Sequence, residues 1–271
     1  DEELKAVATA KYNAQPQEEE QTFDFPTEIV ELPSKGKFYP KDNALHKGTV
    51  EMKYMTAKEE DILTNQSFIK QGVVLDKLFK SLIVSPINYH ELLLCDKNAI
   101  MIAARVLGYG KDYEVTVTTP SGEKQKEMID LTSFDDEPFD ESLITPGINN
   151  FEFQLPTSKR KVTFKILSHR DQTAIDKELK ELKKLKDGYG SKDLTTRLIH
   201  SITSIDGEED RGKIRNFVKN ELLAIDSRAL RTYVKQVSPD IDLNIEIVDQ
   251  ETGDTFDMSL PIDVNFFWPQ T

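Results

Sequence analysis

Apolar residues along the chain alternate in short runs and then switch to a helical period, and this change of rhythm occurs twice. Val50, Met52 and Tyr54 alternate with polar neighbours as in a strand and run into Thr56-Ala57-Lys58-Glu59. That tetrad is a helix start in which the threonine and the glutamate cap each other. Val162, Phe164 and Ile166 alternate in the same way and run into Ser168-His169-Arg170-Asp171. A Leu-Pro element precedes each run, Leu32-Pro33-Ser34-Lys35 in the first case and Leu155-Pro156-Thr157-Ser158 in the second. The repeat is one of pattern more than identity, and it predicts two similar units.

Within the first unit, Val74, Leu75, Leu78, Phe79, Leu82 and Ile83 fall on one helical face, and Ser85-Pro86 ends that helix. A further helix begins at Asp96 with Ile100, Met101, Ala104 and Leu107 on one side, and Gly108 is placed to stop it. Alternating runs at 113–117 and 126–131 flank Pro120-Ser121-Gly122, the composition of a hairpin turn. The second unit starts with a hairpin made by Phe151–Leu155 and Val162–Leu167. A helix from about 171 to 185 carries Ile175, Leu179 and Leu182, and Ile205-Asp206-Gly207 reads as a turn. Asp226 is placed to cap a helix carrying Leu230, Tyr233, Val234 and Val237. A last hairpin turns at Thr252-Gly253-Asp254. The expected fold class is therefore α+β: two similar units, each a small antiparallel sheet with helices packed on one face, with an internal duplication as their origin. The boundaries are a polar arm over 1–24, disordered or ordered by a partner, a first unit over 25–132, an acidic linker over 133–149 and a second unit over 150–271.

Composition narrows the function. Of the 271 residues 31% are charged, and the net charge is -13, which repels phosphate backbones and argues against nucleic acid as the main partner. The single cysteine, Cys95, rules out an internal disulfide and reads as a small core residue in Leu92-Leu93-Leu94-Cys95. No apolar run approaches the ~20 residues of a membrane-spanning helix, and no secretory signal is visible, so a soluble protein of a cytoplasmic compartment is expected.

Reactive constellations are sparse. His46, His90, His169 and His200 are scattered without metal-ligand spacing, and His169 reads as a surface residue at a helix start. Gly108-Tyr109-Gly110-Lys111 lacks the spacer and the hydroxyl of a phosphate loop and follows a helix instead of a strand. Asp135, Asp136 and Glu137 stand beside Pro138 in the linker and read as solvated. The expectation is a protein without catalytic residues, cofactor, metal or small-molecule substrate.

Two places stand outside the periodic text. Phe38, Tyr39 and Pro40 lie in a Gly/Pro turn, where the two aromatics either close a domain core or contact a partner. Phe266, Phe267 and Trp268 are three successive aromatics, and on a strand with alternating side chains they cannot all face inward. Aromatics are preferred interface anchors, so these six residues are the candidate interface.

The same places carry a family resemblance. Leu32–Pro40, Met55–Leu63, Gly72–Leu78, Asp96–Ile100, Arg215–Val218, Asp226–Leu230 and the closing Phe266-Phe267-Trp268-Pro269, in this order, resemble the baseplate hub proteins of T-even-like contractile-tailed bacteriophages. The resemblance runs from about residue 25 to 269. It implies a structural component of the baseplate hub, a protein–protein adaptor whose partners are other phage baseplate hub and tail proteins, located in the virion after assembly in the host cytoplasm. The alternative it leaves open is a tail-assembly chaperone not retained in the virion. Some relatives carry cysteines at the first hairpin turn. Here that turn is Thr119-Pro120-Ser121-Gly122, so the resemblance brings no metal.

Overall fold

The computed structural model describes residues 26–184, 192–260 and 264–267. The expected polar arm and Trp268 lie outside them. The first half opens with β1 (Thr27–Glu31) paired antiparallel to β2 (Thr49–Lys53). Helices α1 (Ala57–Thr64), α2 (Gln66–Gln71), α3 (Val74–Leu82) and α4 (Leu94–Tyr109) follow, then the hairpin of β3 (Asp112–Thr118) and β4 (Lys124–Asp130). A two-residue strand, β5 (Asp136–Glu137), crosses to the second half. There β6 (Phe151–Gln154), β7 (Lys161–Phe164) and β8 (Ile202–Ile205) form a three-stranded antiparallel sheet. Between β7 and β8 lie α5 (His169–Lys184) and α6 (Asp193–Ser201). After β8 come α7 (Arg211–Asn216), a single π turn over 217–221, and α8 (Ala224–Val237). The short β9 (Asp240–Ile241) pairs with β5, and β10 (Asn244–Val248) with β11 (Thr255–Ser259) closes the order before a 3-10 turn at Val264–Phe267. The described fold is α+β, with small antiparallel sheets only.

Both predicted helix starts form, and their contacts correspond. Glu59 Oε2 accepts from the backbone N (3.0 Å) and hydroxyl (2.6 Å) of Thr56, while Lys53 Nζ sits 3.0 Å from its other oxygen. Asp171 Oδ2 accepts from Ser168 N (3.0 Å) and Ser168 Oγ (2.8 Å), and Lys165 Nζ lies 2.7 Å from Oδ1. In each case the lysine precedes the cap by three residues. Glu59 also accepts from Ser81 Oγ on α3 at 2.6 Å and is fully buried. Burial opposes its ionisation, but the donors Ser81, Thr56 and Lys53 outweigh it and hold the carboxyl down to about 2, against an ordinary value of 4.5. A carboxyl lowered in the folded chain stabilises it fully above pH 4.5 and loses that contribution as pH falls from about 4.5 toward 2. Glu59→Gln should therefore melt at a lower temperature than the parent at pH 7. The gap should close as thermal unfolding is repeated at pH values descending through that window, and a gap independent of pH would contradict the assignment.

The Leu-Pro turns are held by a second shared device. Ser34 N donates to Asp96 Oδ1 (3.0 Å), and Thr157 N and Ser158 N donate to the two oxygens of Asp226 (2.8 and 2.9 Å). Asp96 and Asp226 are each the third residue of their helices, α4 and α8. Asp226 is thus not the cap the sequence suggests: its carboxylate serves a turn far away in the chain, and the helix starts two residues earlier. Gly36, at φ 74°, fixes the first turn, because a Cβ there would stand 2.2 Å from the His46 carbonyl oxygen.

Three further expectations change. Helix α4 runs through Gly108 to Tyr109 and stops at Gly110, which has φ 84°. Gly108 is instead where the Met55 side chain packs, since a Cβ would come within 2.8 Å of it. Ile202–Ile205 is a strand of the second sheet, where the sequence shows only the turn that follows it. The acidic stretch 133–149 is packed against the fold: besides the β5–β9 pairing, Asp140 N donates to Gln236 O (3.1 Å) and Gly147 N to Lys37 O (2.7 Å). Phe134, Phe139 and Ile144 pack on the core between its acids. Acid content predicted a solvated linker, but the interspersed apolar residues decide its course.

Buried apolar residues of both halves join in one contiguous cluster, from Leu32 and Phe79 to Phe164, Ile199 and Leu230. A smaller cluster of Val115, Val117 and Ile247 forms where the two hairpins, β3–β4 and β10–β11, pack together.

Candidate interaction surfaces

The five described residues of the candidate interface do not form an exposed patch, and Trp268, the sixth, lies outside the described residues. Phe38 is 2% exposed and lies 6.1 Å, ring to ring, from both Phe139 and Phe151. Tyr39 is 3% exposed; its hydroxyl donates to Asp96 Oδ2 at 2.5 Å and accepts from Leu93 N at 2.9 Å. Only Pro40 of this trio is exposed. Phe266 and Phe267 are fully buried. Phe266 meets Tyr113 edge-on at 5.0 Å, Phe267 approaches Phe79 at 6.1 Å, and the two rings stand 5.4 Å apart. The expectation that the three successive aromatics cannot all face inward rested on strand geometry, and two of the three are described. The segment is a 3-10 turn, in which neighbouring side chains are not sent to opposite faces. Arg105 of α4, itself 3% exposed, fixes this turn by donating from Nε to the Phe266 carbonyl at 3.0 Å.

A polar cluster at the junction of the halves went unseen in the sequence. Asp76 of α3 accepts from Tyr89 OH (3.0 Å) and Lys97 Nζ (2.7 Å), and His169 Nε2 lies 3.7 Å from its second oxygen. His169 is not a surface residue: it is buried against the edge of the Tyr89 ring at 4.6 Å. Its Nδ1 is buried with no hydrogen-bond partner among the described residues, and burial pushes its pKa below the ordinary 6.5. The backbone continues the junction, with His169 N donating to Leu92 O (2.8 Å) and Leu94 N to Leu167 O (3.0 Å). The neighbouring thiol of Cys95 is buried and pushed up by that burial, which disfavours the reactive thiolate. These groups hold α3, α4 and α5 together. Among the described residues no cluster of three or more His, Cys, Asp or Glu is arranged to hold a metal ion.

Apolar and basic groups are accessible at two places. Ile29 is 72% exposed on β1, which pairs with β2 on one side only among the described strands. An open strand edge offers unpaired backbone groups to another chain. Ile225 stands 62% exposed at the start of α8. Farther along α8, Arg228, Arg231 and Lys235 line a cleft of about 690 Å³. The spacing of these cations is visible in the sequence, but the cleft and the groove beside it are built by elements distant in the chain. None of the described helices is long and apolar enough to cross a membrane.

Comparison with known proteins gives one family. Residues 25–268 match the model of the family described as T4 bacteriophage base plate protein. No curated protein and no solved structure matches the chain.

Proposed function

The chain belongs to the T4 bacteriophage base plate protein family, and from this premise we propose that it is a structural component of the baseplate hub of a contractile tail, acting as a protein–protein adaptor in tail assembly. The family match over most of the chain is the observation that carries the reading. Membership supports a baseplate role, with other phage tail proteins as partners and the virion tail as location. The hub position, the adaptor role and assembly in the host cytoplasm are what we propose beyond that membership. So is a role without catalysis.

The physical form of the proposal differs from the one the sequence suggests. The aromatics at 38, 39, 266 and 267 support the fold from within. Docking then falls to the β1 edge and to the face of α8, which present apolar and cationic groups to solvent. Stable protein interfaces generally exceed about 1,000 Å², and an adaptor needs two such areas. Quantitative mass spectrometry of purified virions tests the reading. The expected result is this chain in near-stoichiometric ratio to other baseplate proteins. Its presence in tail precursors but absence from mature virions would favour a transient assembly chaperone and overturn the structural role.

A further inference from the structure

Helix α8 separates two concave surfaces that share Arg231. One is the cleft of about 690 Å³ lined by Arg228, Arg231 and Lys235. The other is a groove of about 320 Å³ between α6 and α8, over the end of β7. Its lining is largely apolar: Leu94, Ile166, Leu167, Leu194, Leu198 and Val234. Leu194 is 44% exposed, so the groove is open at that side. At the small end of the ~300–1,000 Å³ usual for ligand pockets, it suits one or two large side chains better than a whole cofactor.

The rim of the groove carries cations. Lys165, Arg197 and Arg231 line the groove against a single acid of the lining, Asp240. Lys165 and Arg197 are engaged by Asp171 (2.7 Å) and Asp193 (2.9 Å). Arg231 and Arg228 have no carboxylate within salt-bridge distance among the described residues, and Arg231 only donates to Ser227 O at 3.4 Å. Lys235 approaches Glu137 at 3.5 Å and is 77% exposed at its side chain. The cleft also carries Glu137 and Asp242, so among the described residues the cations left without a paired carboxylate are Arg228 and Arg231. At physiological ionic strength charges beyond about 8 Å are largely screened, so a docked segment experiences the groups lining these two surfaces, among which Arg228 and Arg231 have no paired carboxylate.

We propose that the α6–α8 groove docks an acidic segment of a partner protein bearing one or two large apolar side chains. The apolar side chains fill the groove, and the flanking carboxylates meet Arg231, Arg228 and Lys235, where bidentate guanidinium–carboxylate pairing adds orientation. A nucleic acid fits less well, because its phosphates satisfy the cations but leave the apolar floor uncovered. The proposal stands on surface chemistry and not on the place of the chain in the particle.

The test uses the full chain and three fluorescein-labelled synthetic peptides of equal length. One places leucine and phenylalanine among glutamates, the second replaces those two by serine, and the third replaces the glutamates by lysines. Fluorescence anisotropy should show saturable binding of the first alone, weakened by added salt, and backbone amide shifts in the complex should be confined to 94–95, 165–167, 194–201 and 228–240. Arg231→Glu and Leu194→Glu, both exposed substitutions, should weaken it about 10-fold or more with unchanged circular dichroism. Arg231→Gln serves if the charge reversal disturbs folding. Failure of the first peptide to saturate, equal binding of all three, or insensitivity to every substitution overturns the proposal. So does a concentration-dependent dimer abolished by Leu194→Glu, which would assign the groove to a second copy, or tighter binding of a single-stranded oligonucleotide at the same residues. Normal peptide binding by a chain absent from virions would count against the baseplate role alone and leave the groove assigned.

Discussion

Phe267→Ala is expected to destabilise the folded chain by about 3–5 kcal/mol, the usual cost of deleting a fully buried phenylalanine ring. The ring is 0% exposed and sits between Phe79 of α3 and Phe266. Its removal opens a cavity where the closing turn meets the first-half helices, and the carbonyl of the preceding residue is already committed to Arg105. Urea unfolding should show a lower midpoint with an unchanged slope, the sign of lost stability without a change in the exposed area. If the closing aromatics were instead partner anchors, the variant would keep the parental midpoint and lose only its entry into tail assemblies. That outcome would refute the packing account.

The second large effect is expected at Asp96. Its carboxylate is fully buried, accepting from Ser34 N and from the Tyr39 hydroxyl, which in turn accepts from Leu93 N. Asp96→Ala leaves the first two donors without their acceptor in the core, at a cost of about 1–3 kcal/mol each, so a loss of roughly 3–5 kcal/mol is expected. Tyr39→Phe keeps the ring and the carboxylate and should cost less. The pH dependence adds an independent check. Burial, opposed by the Tyr39 and Ser34 hydrogen bonds, raises the Asp96 carboxyl to about 6 from an ordinary 3.8. Between these values the folded chain binds more protons than the unfolded one, so this group stabilises the fold increasingly as pH falls from about 6 to 3.8. The stability difference between parent and Asp96→Ala should widen on acidification through that window. A difference that shrinks there would show that the carboxylate is less enclosed than the geometry implies. The contribution of Glu59 runs the other way and over a lower range, which allows the two carboxyls to be told apart.

The destabilising outcome expected at Phe267 bears on the adaptor reading. With the aromatics committed to the interior, recognition passes to surfaces that a one-dimensional pattern does not single out. The α8 face shows why. Arg228, Arg231 and Lys235 are legible as one side of a helix, but the apolar floor beside them comes mostly from α4, the segment following β7 and α6. No window of sequence contains both halves of that chemistry.

What the sequence determined by itself is what neighbouring residues decide. Thr56 with Glu59, and Ser168 with Asp171, are three residues apart, so their caps can be read in the text and are found at hydrogen-bonding distance. The hairpin turns and the α+β class follow from equally local rules, alternation between strand residues and Gly/Pro chemistry between strands. Tertiary structure alone decided where the non-local partners lie. Asp96 meets Ser34 across 62 positions and Arg105 meets Phe266 across 161. His169 is buried because the segment around Tyr89 covers it, and Phe266 and Phe267 turn inward together because the chain winds into a 3-10 turn against Phe79 and Tyr113. The hydrophobic effect has no direction along the chain: it rewards burial wherever a complementary surface arrives. The identity of that surface is a property of the assembled fold.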